Sequence, residues 1–355
     1  MKPRAMLRVA APAAVLFLVS ACDDGPSGGA GAPSSAAATA STRSSAAAVT
    51  AASSGAQPSA AGSGSAPNAD LKAKCAPFDP PWGERYWVDW AQQDQARAET
   101  FLDNIEKTMK GADLSVLPQC THLRNVFIGY SQLKDLSPLA KMTWLERLDL
   151  RYSPDVTDVG PLRSLQSLQY VNITGTGVKD LAPLADLPKL GELEARKLTV
   201  TDYAPVARMT SLRTIDLLQD PIEDLSPLAK APMLEHVLVC TTKVKDISPL
   251  FPVAERITAL DICGSPFRDF AALAKLKNLK KLRLTNMPIK DLKPLEGMTK
   301  LEELDLQRTT LDSLMPLHSC KALRKVDLIG AKVPVQEIEA LFKAVPGVQI
   351  VVKAD

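Results

Sequence analysis

From residue 113 onward, apolar and polar positions follow one pattern that recurs every 22 residues, and twice after 23. Each unit opens with Asp-Leu-Ser-Pro-Leu-Ala or a close variant and continues through a short polar step to Leu-x-x-Leu-x-Leu, as between Asp135 and Leu150. The ten units begin at Asp113, Asp135, Asp158, Asp180, Asp202, Asp224, Asp246, Asp269, Asp291 and Ser313. The last two apolar residues of each unit alternate with polar ones, and this period of two predicts a short strand with one face in a core.

The first half of each unit predicts a short helical turn. Asp is a good N-cap, and the Pro three residues later falls in the first turn, where its missing N–H costs little. Because one unit cannot bury its apolar face alone, successive units should stack and pair their strands in parallel. The expected fold class is α/β, a solenoid with a parallel concave sheet and short helical turns on its convex side.

Segments on both sides of the repeats (residues 113–334) are expected to cap the open ends of the core. Residues 71–112 form the predicted N-terminal cap, in which Gln93–Lys110 has helical periodicity. The aromatic segment Pro80–Trp90 lies ahead of that helix and either packs on it or forms a separate docking surface.

The C-terminal cap is predicted over residues 335–355. Within it, Val335–Val345 reads as a helix and Gln349–Val352 as a final strand. A closing unit of this kind would shield the last repeat from solvent.

Between Asp113 and Pro334, the pattern resembles the 22-residue leucine-rich repeats of the internalin type, found in many bacterial surface proteins. The resemblance implies a leucine-rich-repeat solenoid used for binding, without fixing which ligand is bound. One departure is that the Asn common after the last strand leucine is replaced at several positions. The replacements are Ser131, Ser153, Thr176, Asp220, Thr242, Ser265 and Thr309. These side chains can still bond the turn backbone.

The N-terminus, residues 1–21, reads as a signal peptide, with basic residues at Lys2, Arg4 and Arg8 followed by an apolar stretch too short to span a bilayer. The segment Val19–Cys22 resembles the lipobox of bacterial lipoproteins. That resemblance implies that the Cys22 thiol is acylated, with palmitate-type chains, and becomes the mature N-terminus; the alternative is a plain signal peptide.

The next segment, residues 22–70, consists largely of Ala, Ser, Gly, Pro and Thr after the cysteine and reads as a disordered tether. A flexible coil of about 45 residues has a reach of roughly 40 Å. The expected location is therefore the bacterial cell envelope, lipid-anchored, at the outer membrane or the periplasmic face of the inner membrane.

Composition argues against several function classes. Lys plus Arg number 42 and Asp plus Glu 40, so a binder driven by phosphate neutralisation is not expected, and no nucleic-acid partner is predicted. The three histidines, His122, His236 and His318, fall in different columns of the repeat, so no catalytic or metal cluster is expected. The opening Asp residues are interpreted as caps rather than calcium ligands, and no cofactor or enzymatic activity is predicted.

The remaining cysteines leave alternatives open. Cys120 and Cys320 share the register of core leucines, and Cys120 either pairs with Cys75 in the N-terminal cap or stays a buried thiol. Cys240 and Cys263 take the same solvent-facing position in adjacent units, with Cα atoms expected about 5 Å apart. They form either a disulfide or two free thiols.

The strand positions that face away from the core are the expected binding surface, with six acidic side chains in one column and an aromatic group at the N-terminal end. Exposed aromatic groups on a concave sheet are typical interface anchors. The predicted partner-binding residues are Phe127, Tyr130, Asp149, Arg151, Tyr152, Tyr170, Asn172, Glu194 and Asp216. The four aromatic members should lie together, and the acids should select a basic or hydrogen-bonding partner.

These patterns favour a membrane-anchored module that binds a protein or peptide through its concave face. The alternatives are a structural envelope spacer without a specific ligand and, less favoured by the residues present, an enzyme.

Overall fold

The computed structural model describes residues 69–76 and 114–352, and it contains one sheet of parallel strands in chain order. The strands are β1 Asn125–Phe127, β2 Arg147–Asp149, β3 Tyr170–Asn172, β4 Glu192–Glu194, β5 Thr214–Asp216, β6 His236–Leu238, β7 Ala259–Asp261, β8 Lys281–Arg283, β9 Glu303–Asp305, β10 Lys325–Asp327 and β11 Gln349–Val351. Partner residues on neighbouring strands are one repeat apart, as in Phe127 opposite Asp149 and Asp149 opposite Asn172. The α/β solenoid expected from the pattern is confirmed.

Each strand is preceded on the convex side by a short helix. These helices span Leu114–Gln119, Ser137–Lys141, Gly160–Ser164, Ala182–Ala185, Ala204–Arg208, Ser226–Ala229, Ser248–Val253, Phe270–Lys275, Lys293–Leu295 and Met315–Ser319. Those at Ala182–Ala185 and Ser226–Ala229 are α-helical, and the others are 3-10 helices. A unit of 22 residues leaves room for a single turn, so the tighter helix is favoured.

The core is one continuous column of aliphatic side chains. The middle residue of each strand points into it, so Val126, Leu148 and Val171 are all buried. Cys120 and Cys320 are also fully buried in this core, in the register predicted for them. Each repeat packs only on its two neighbours, so a continuous core requires that every repeat keep the same register.

The opening Asp residues bond to the backbone, but one position earlier than a true N-cap. The Asp135 carboxylate accepts from the Ser137 backbone N–H at 2.8 Å, while the N-cap position itself is Leu136. The same bond recurs at Asp158, Asp180, Asp202, Asp224, Asp246 and Asp291. The side chain therefore closes an Asx turn that leads into the helix.

Most strands are followed by a turn in which a polar side chain forms a hydrogen bond with a nearby backbone group. The hydroxyls of Ser131, Thr176 and Thr242 donate to the carbonyl oxygens three residues earlier, at 2.8, 2.7 and 2.7 Å. Asp220 instead accepts from the Leu198 N–H at 2.6 Å. Ser, Thr and Asp thus replace the usual Asn by bonding turn backbone, as expected.

Both ends of the described solenoid carry additional elements. Helix α1, Ala69–Cys75, is joined to the first repeat by a Cys75–Cys120 disulfide with a Cα separation of 5.8 Å. After β10, the helix Val335–Ala344 and strand β11 close the stack, each one residue shorter than predicted. The predicted signal peptide, Cys22, most of the tether and the Gln93–Lys110 helix lie outside the described residues. None of the helices within residues 69–76 and 114–352 is long and apolar enough to cross a membrane.

Candidate functional site

The concave face is built from columns of side chains that run across the strands. The third residues of the strands form what we call the central column: Phe127, Asp149, Asn172, Glu194, Asp216, Leu238, Asp261, Arg283, Asp305 and Asp327. Beside it, two positions further along each chain segment, stands a second column that includes Arg151, Arg196, Cys240 and Cys263. Parallel strands lie about 4.8 Å apart, so side chains in one column contact their neighbours.

The acids of the central column were expected to face solvent, but the structure places several of them in buried ion pairs. Asp149 and Asp216 are each 5% exposed. Arg151 pairs with Asp149 through both its Nε and Nη2 atoms, and Arg196 Nη2 lies 2.7 Å from Asp216. The expectation of solvent exposure is therefore wrong for Asp149 and Asp216, because Arg151 and Arg196 of the second column fold over them. These acids are not free to choose a basic partner without first losing an internal cation.

Tyr170 belongs to this buried polar network and not to the aromatic group. Its hydroxyl donates to Glu194 Oε1 at 3.1 Å, and Asn172 Nδ2 donates to Glu194 Oε2 at 2.7 Å. The Arg147 guanidinium lies 4.1 Å from the Tyr170 ring centroid. Tyr170 is only 8% exposed, so its role is to hold Glu194 in place.

Burial also changes the proton affinity of the network. Burial raises the pKa of Glu194 and of Asp216, while the neighbouring Arg196 opposes the rise in both cases. Burial likewise raises the pKa of Asp261 to about 6, against the attraction of Arg283. The cost of ionising these groups is thus the cost of removing them from water, and the arginines partly offset it.

The aromatic group near the N-terminal end contains three of the four predicted rings. The Tyr130 centroid lies 5.1 Å from that of Tyr152 and 6.4 Å from that of Phe127. Tyr152 is 39% exposed, whereas Phe127 is 6% exposed and packs beneath the tyrosines. Burial raises the pKa of Tyr130 to about 12, because a phenolate at this position would lose contact with water. The exposed part of the group is therefore Tyr152, with the half-buried Tyr130 beside it.

Cys240 and Cys263 are joined by a disulfide, with Cα atoms 4.5 Å apart. They lie two residues after the ends of β6 and β7, and they are 4% and 6% exposed rather than solvent-facing. With Asp261 they form the one group in the described residues whose ligand atoms, all within 4.8 Å of one another, could hold a metal ion. Because the two sulfurs bond to each other, neither thiolate is available as a ligand.

Comparison with known proteins gives the same architecture. A model of two leucine-rich repeats matches residues 277–314, and a search of curated protein sequences gives no match. An internalin from Listeria monocytogenes has a TM-score of 0.55 at 23% identity, covering 71% of this chain and 82% of its own. A leucine-rich-repeat protein from Leptospira interrogans also has a TM-score of 0.55, at 19% identity, with 67% of this chain and 62% of its own covered. The fold is a leucine-rich-repeat solenoid.

In this leucine-rich-repeat solenoid, the residue that ends each concave segment has a positive φ, a feature that sequence reasoning missed. We call these positions the turn row: Tyr130, Tyr152, Gly175, Lys197, Gln219, Thr241, Gly264, Asn286, Arg308 and Gly330. Non-glycine residues enter the left-handed region at a cost, and a β-branched residue such as Thr241 does so rarely. The recurrence of Gly at Gly175, Gly264 and Gly330, in register, is the signal that could have revealed the row.

Both tyrosines of the turn row have this left-handed backbone, and Tyr152 is exposed at the rim of the concave face whereas Tyr130 is half-buried. Gly175 lies directly beneath the Tyr152 ring, since a Cβ atom there would be 2.8 Å from Tyr152 Cδ1. Lys197 Nζ lies 5.7 Å from the Tyr152 ring centroid. The missing side chain at residue 175 therefore lets Tyr152 lie flat and brings the next exposed cation close to it.

Proposed function

We propose that this protein is a lipid-anchored component of a bacterial cell envelope that binds a protein or peptide ligand at the concave side of its solenoid. Leucine-rich-repeat folds are typical protein-interaction modules, and the parallel sheet provides a long, continuous surface. Cys22 is the proposed acylation site, and the tether after it would let the solenoid search a zone above the membrane.

The observation that carries the binding proposal is the Tyr130–Tyr152 pair. Its rings lie 5.1 Å apart, and Tyr152 keeps 39% of its surface exposed although an apolar ring gains by burial. Large aromatic side chains that are fixed in place and still exposed are the usual anchors of protein interfaces.

The binding proposal is tested by capture from envelope extracts with the immobilised full-length protein. A saturable partner should be retained, and Tyr152→Ala should weaken it about thirtyfold, as for loss of a central aromatic anchor. Lys189→Ala and Lys277→Ala change exposed residues outside the concave face and serve as controls. Saturable capture that survives Tyr152→Ala but disappears in both controls would place the site elsewhere, and no saturable partner at all would favour a structural spacer.

The anchoring proposal is tested separately by metabolic labelling with a fatty acid. The wild-type protein should incorporate the label, and Cys22→Ser should not. Label in the Cys22→Ser protein, or a mature N-terminus that does not begin at Cys22, would contradict acylation at this residue.

A further inference from the structure

Two rows of side chains at the rim next to the tyrosines contain no acidic residue, although acids such as Asp155 and Glu223 stand near them in the sequence. The turn row has none, and neither does the exposed or half-exposed row two residues further on, which we call the outer row: Gln132, Pro154, Gly177, Thr199, Pro221, Lys243, Pro266, Pro288, Thr310 and Lys332. Together the two rows hold four cations, Lys197, Lys243, Arg308 and Lys332, of which Lys243 lies 3.5 Å from the Glu223 carboxylate. This charge pattern contrasts with the central column, where six of ten residues are acidic.

The acids of the central column do not cancel the exposed cation at the tyrosines. Asp149 is held by Arg151, and Arg196 lies 3.8 Å from Glu194 and 2.7 Å from Asp216. Lys197 is exposed and its Nζ atom lies over the Tyr152 ring, and no carboxylate in residues 69–76 and 114–352 forms a salt bridge with it. A ligand side chain that packs on Tyr152 therefore lies close to a positive charge.

We propose that the Tyr130–Tyr152 pair and Lys197 form a subsite for an extended, acidic polypeptide segment in which an apolar side chain stands two residues from a carboxylate. This inference rests on the proposed function, since it takes the partner to be a protein or peptide. The apolar side chain packs on the tyrosine rings, and the carboxylate pairs with Lys197.

The spacing of the subsite supports an extended partner. Lys197 Nζ lies 5.7 Å from the Tyr152 centroid. Residues i and i+2 of an extended chain project to the same side about 6.6 Å apart, which matches this separation. Consecutive residues project to opposite sides, and one of the two side chains would then point away from the subsite.

Gly175 supplies a second, independent condition for the subsite. A methyl group at this position would meet Tyr152 Cδ1 and Cε1 at 2.8 and 3.1 Å, so Gly175→Ala must displace the ring. Gly264 has the same left-handed backbone, with φ +61 against +65, but its Cβ would meet Thr241 Oγ1 at 3.2 Å. Gly264→Ala therefore carries similar backbone strain without touching the tyrosines, and it is a matched control.

The test is selection of phage-displayed random peptides on the full-length Cys22→Ser protein, which keeps all residues of the subsite. Enriched peptides should carry Asp or Glu two positions from an aromatic or large aliphatic residue. Synthetic copies should bind about thirtyfold more weakly to Tyr152→Ala. Binding to Lys197→Gln should fall about fivefold and lose much of its salt dependence. Gly175→Ala should weaken binding, and Gly264→Ala should not.

Two results would overturn the inference while leaving peptide binding intact: enrichment of basic peptides, or enriched peptides that bind equally well to Tyr152→Ala and Lys197→Gln. Failure to enrich any peptide, together with no saturable partner from envelope extracts, would instead count against the proposed function itself. Thermal unfolding of each variant separates loss of the subsite from loss of the fold.

Discussion

The central column and the turn row are only three residues apart in every repeat, yet their side chains differ in how far they are exposed to solvent. The central column points out of the core, yet its acids Asp149, Asp216 and Asp261 are at most 5% exposed and pair with Arg151, Arg196 and Arg283. The turn row pays a conformational cost at seven non-glycine positions and keeps side chains such as Tyr152 and Lys197 in solvent. The difference teaches that facing away from the core and being available to a partner are separate properties of a repeat surface.

The largest change in the free energy of unfolding should come from removing a cation that covers acids of the central column. Arg196→Ala leaves Glu194 and Asp216 without their shared partner in a site where the Arg196 side chain is 15% exposed. Breaking a buried pair by deleting one member is strongly destabilising, so we expect a loss of about 3 kcal/mol in the free energy of unfolding. Denaturant titration measures it.

Arg208→Ala is the matched control for Arg196→Ala. Arg208 faces Asp186 at 3.9 Å with both side chains more than half exposed, so the loss should be below about 0.5 kcal/mol. Equal effects of the two substitutions would mean that the central column is not a buried network.

A second prediction concerns Asp220, a buried acid in the turn without a covering arginine. Burial raises its pKa to about 7, against the bonds from Leu198 N–H and the Tyr203 hydroxyl. Because the folded pKa is above the unfolded value, the protein should lose stability as pH rises from about 4 to 7 and change no further above 7. Asp220→Asn cannot ionise and should be more stable at pH 8 by on the order of 2 kcal/mol.

The comparison for Asp220 is Asp224→Asn, measured by the same unfolding curves. Ser226 lowers the pKa of Asp224 through hydrogen bonds from its hydroxyl and its N–H, so this acid stabilises the fold when it is ionised. Asp224→Asn should therefore reduce stability at pH 8, and it should do so less at acid pH. An Asp220→Asn protein less stable than wild type at pH 8 would contradict the assigned ionisation.

The smallest of these effects separates the two kinds of tyrosine. Tyr170→Phe removes a hydroxyl that donates to Glu194 inside the network, and we expect a loss of about 1 kcal/mol in unfolding free energy. Tyr152→Phe removes a hydroxyl at the exposed rim and should change stability by less than about 0.5 kcal/mol. If the larger loss came from Tyr152→Phe, the assignment of the two rings would be reversed.

Much of the fold could be predicted from the sequence, because the same pattern of residues occurs in ten successive repeats. The pattern of apolar and polar residues from Asp135 to Leu150 repeats along the chain. It is enough to place the strands, the helical turns and the side of each strand that faces the core. The coverage of Asp149 could not be predicted in the same way, since it depends on how the Arg151 side chain folds back, and Arg can equally extend into solvent.

The candidate site was partly predictable for the same reason. Periodicity places Phe127, Tyr130 and Tyr152 at one end of the concave side. It also assigns Tyr170 to this aromatic group, although the Tyr170 hydroxyl donates a hydrogen bond to Glu194. The outward orientation of Tyr152 depends on a left-handed backbone and on Gly175 beneath the ring, neither of which follows from hydrophobic alternation.

The most direct test of the central claim compares Tyr152→Ala with Asp149→Asn in binding to the partner captured from envelope extracts. Affinity is measured by calorimetry under conditions where both proteins are fully folded. Tyr152→Ala should weaken binding about thirtyfold, because the exposed rim holds the partner. Asp149→Asn should change affinity less than about threefold, since Asp149 is already engaged by Arg151 and buried. Strong loss in Asp149→Asn with unchanged affinity in Tyr152→Ala would contradict the account.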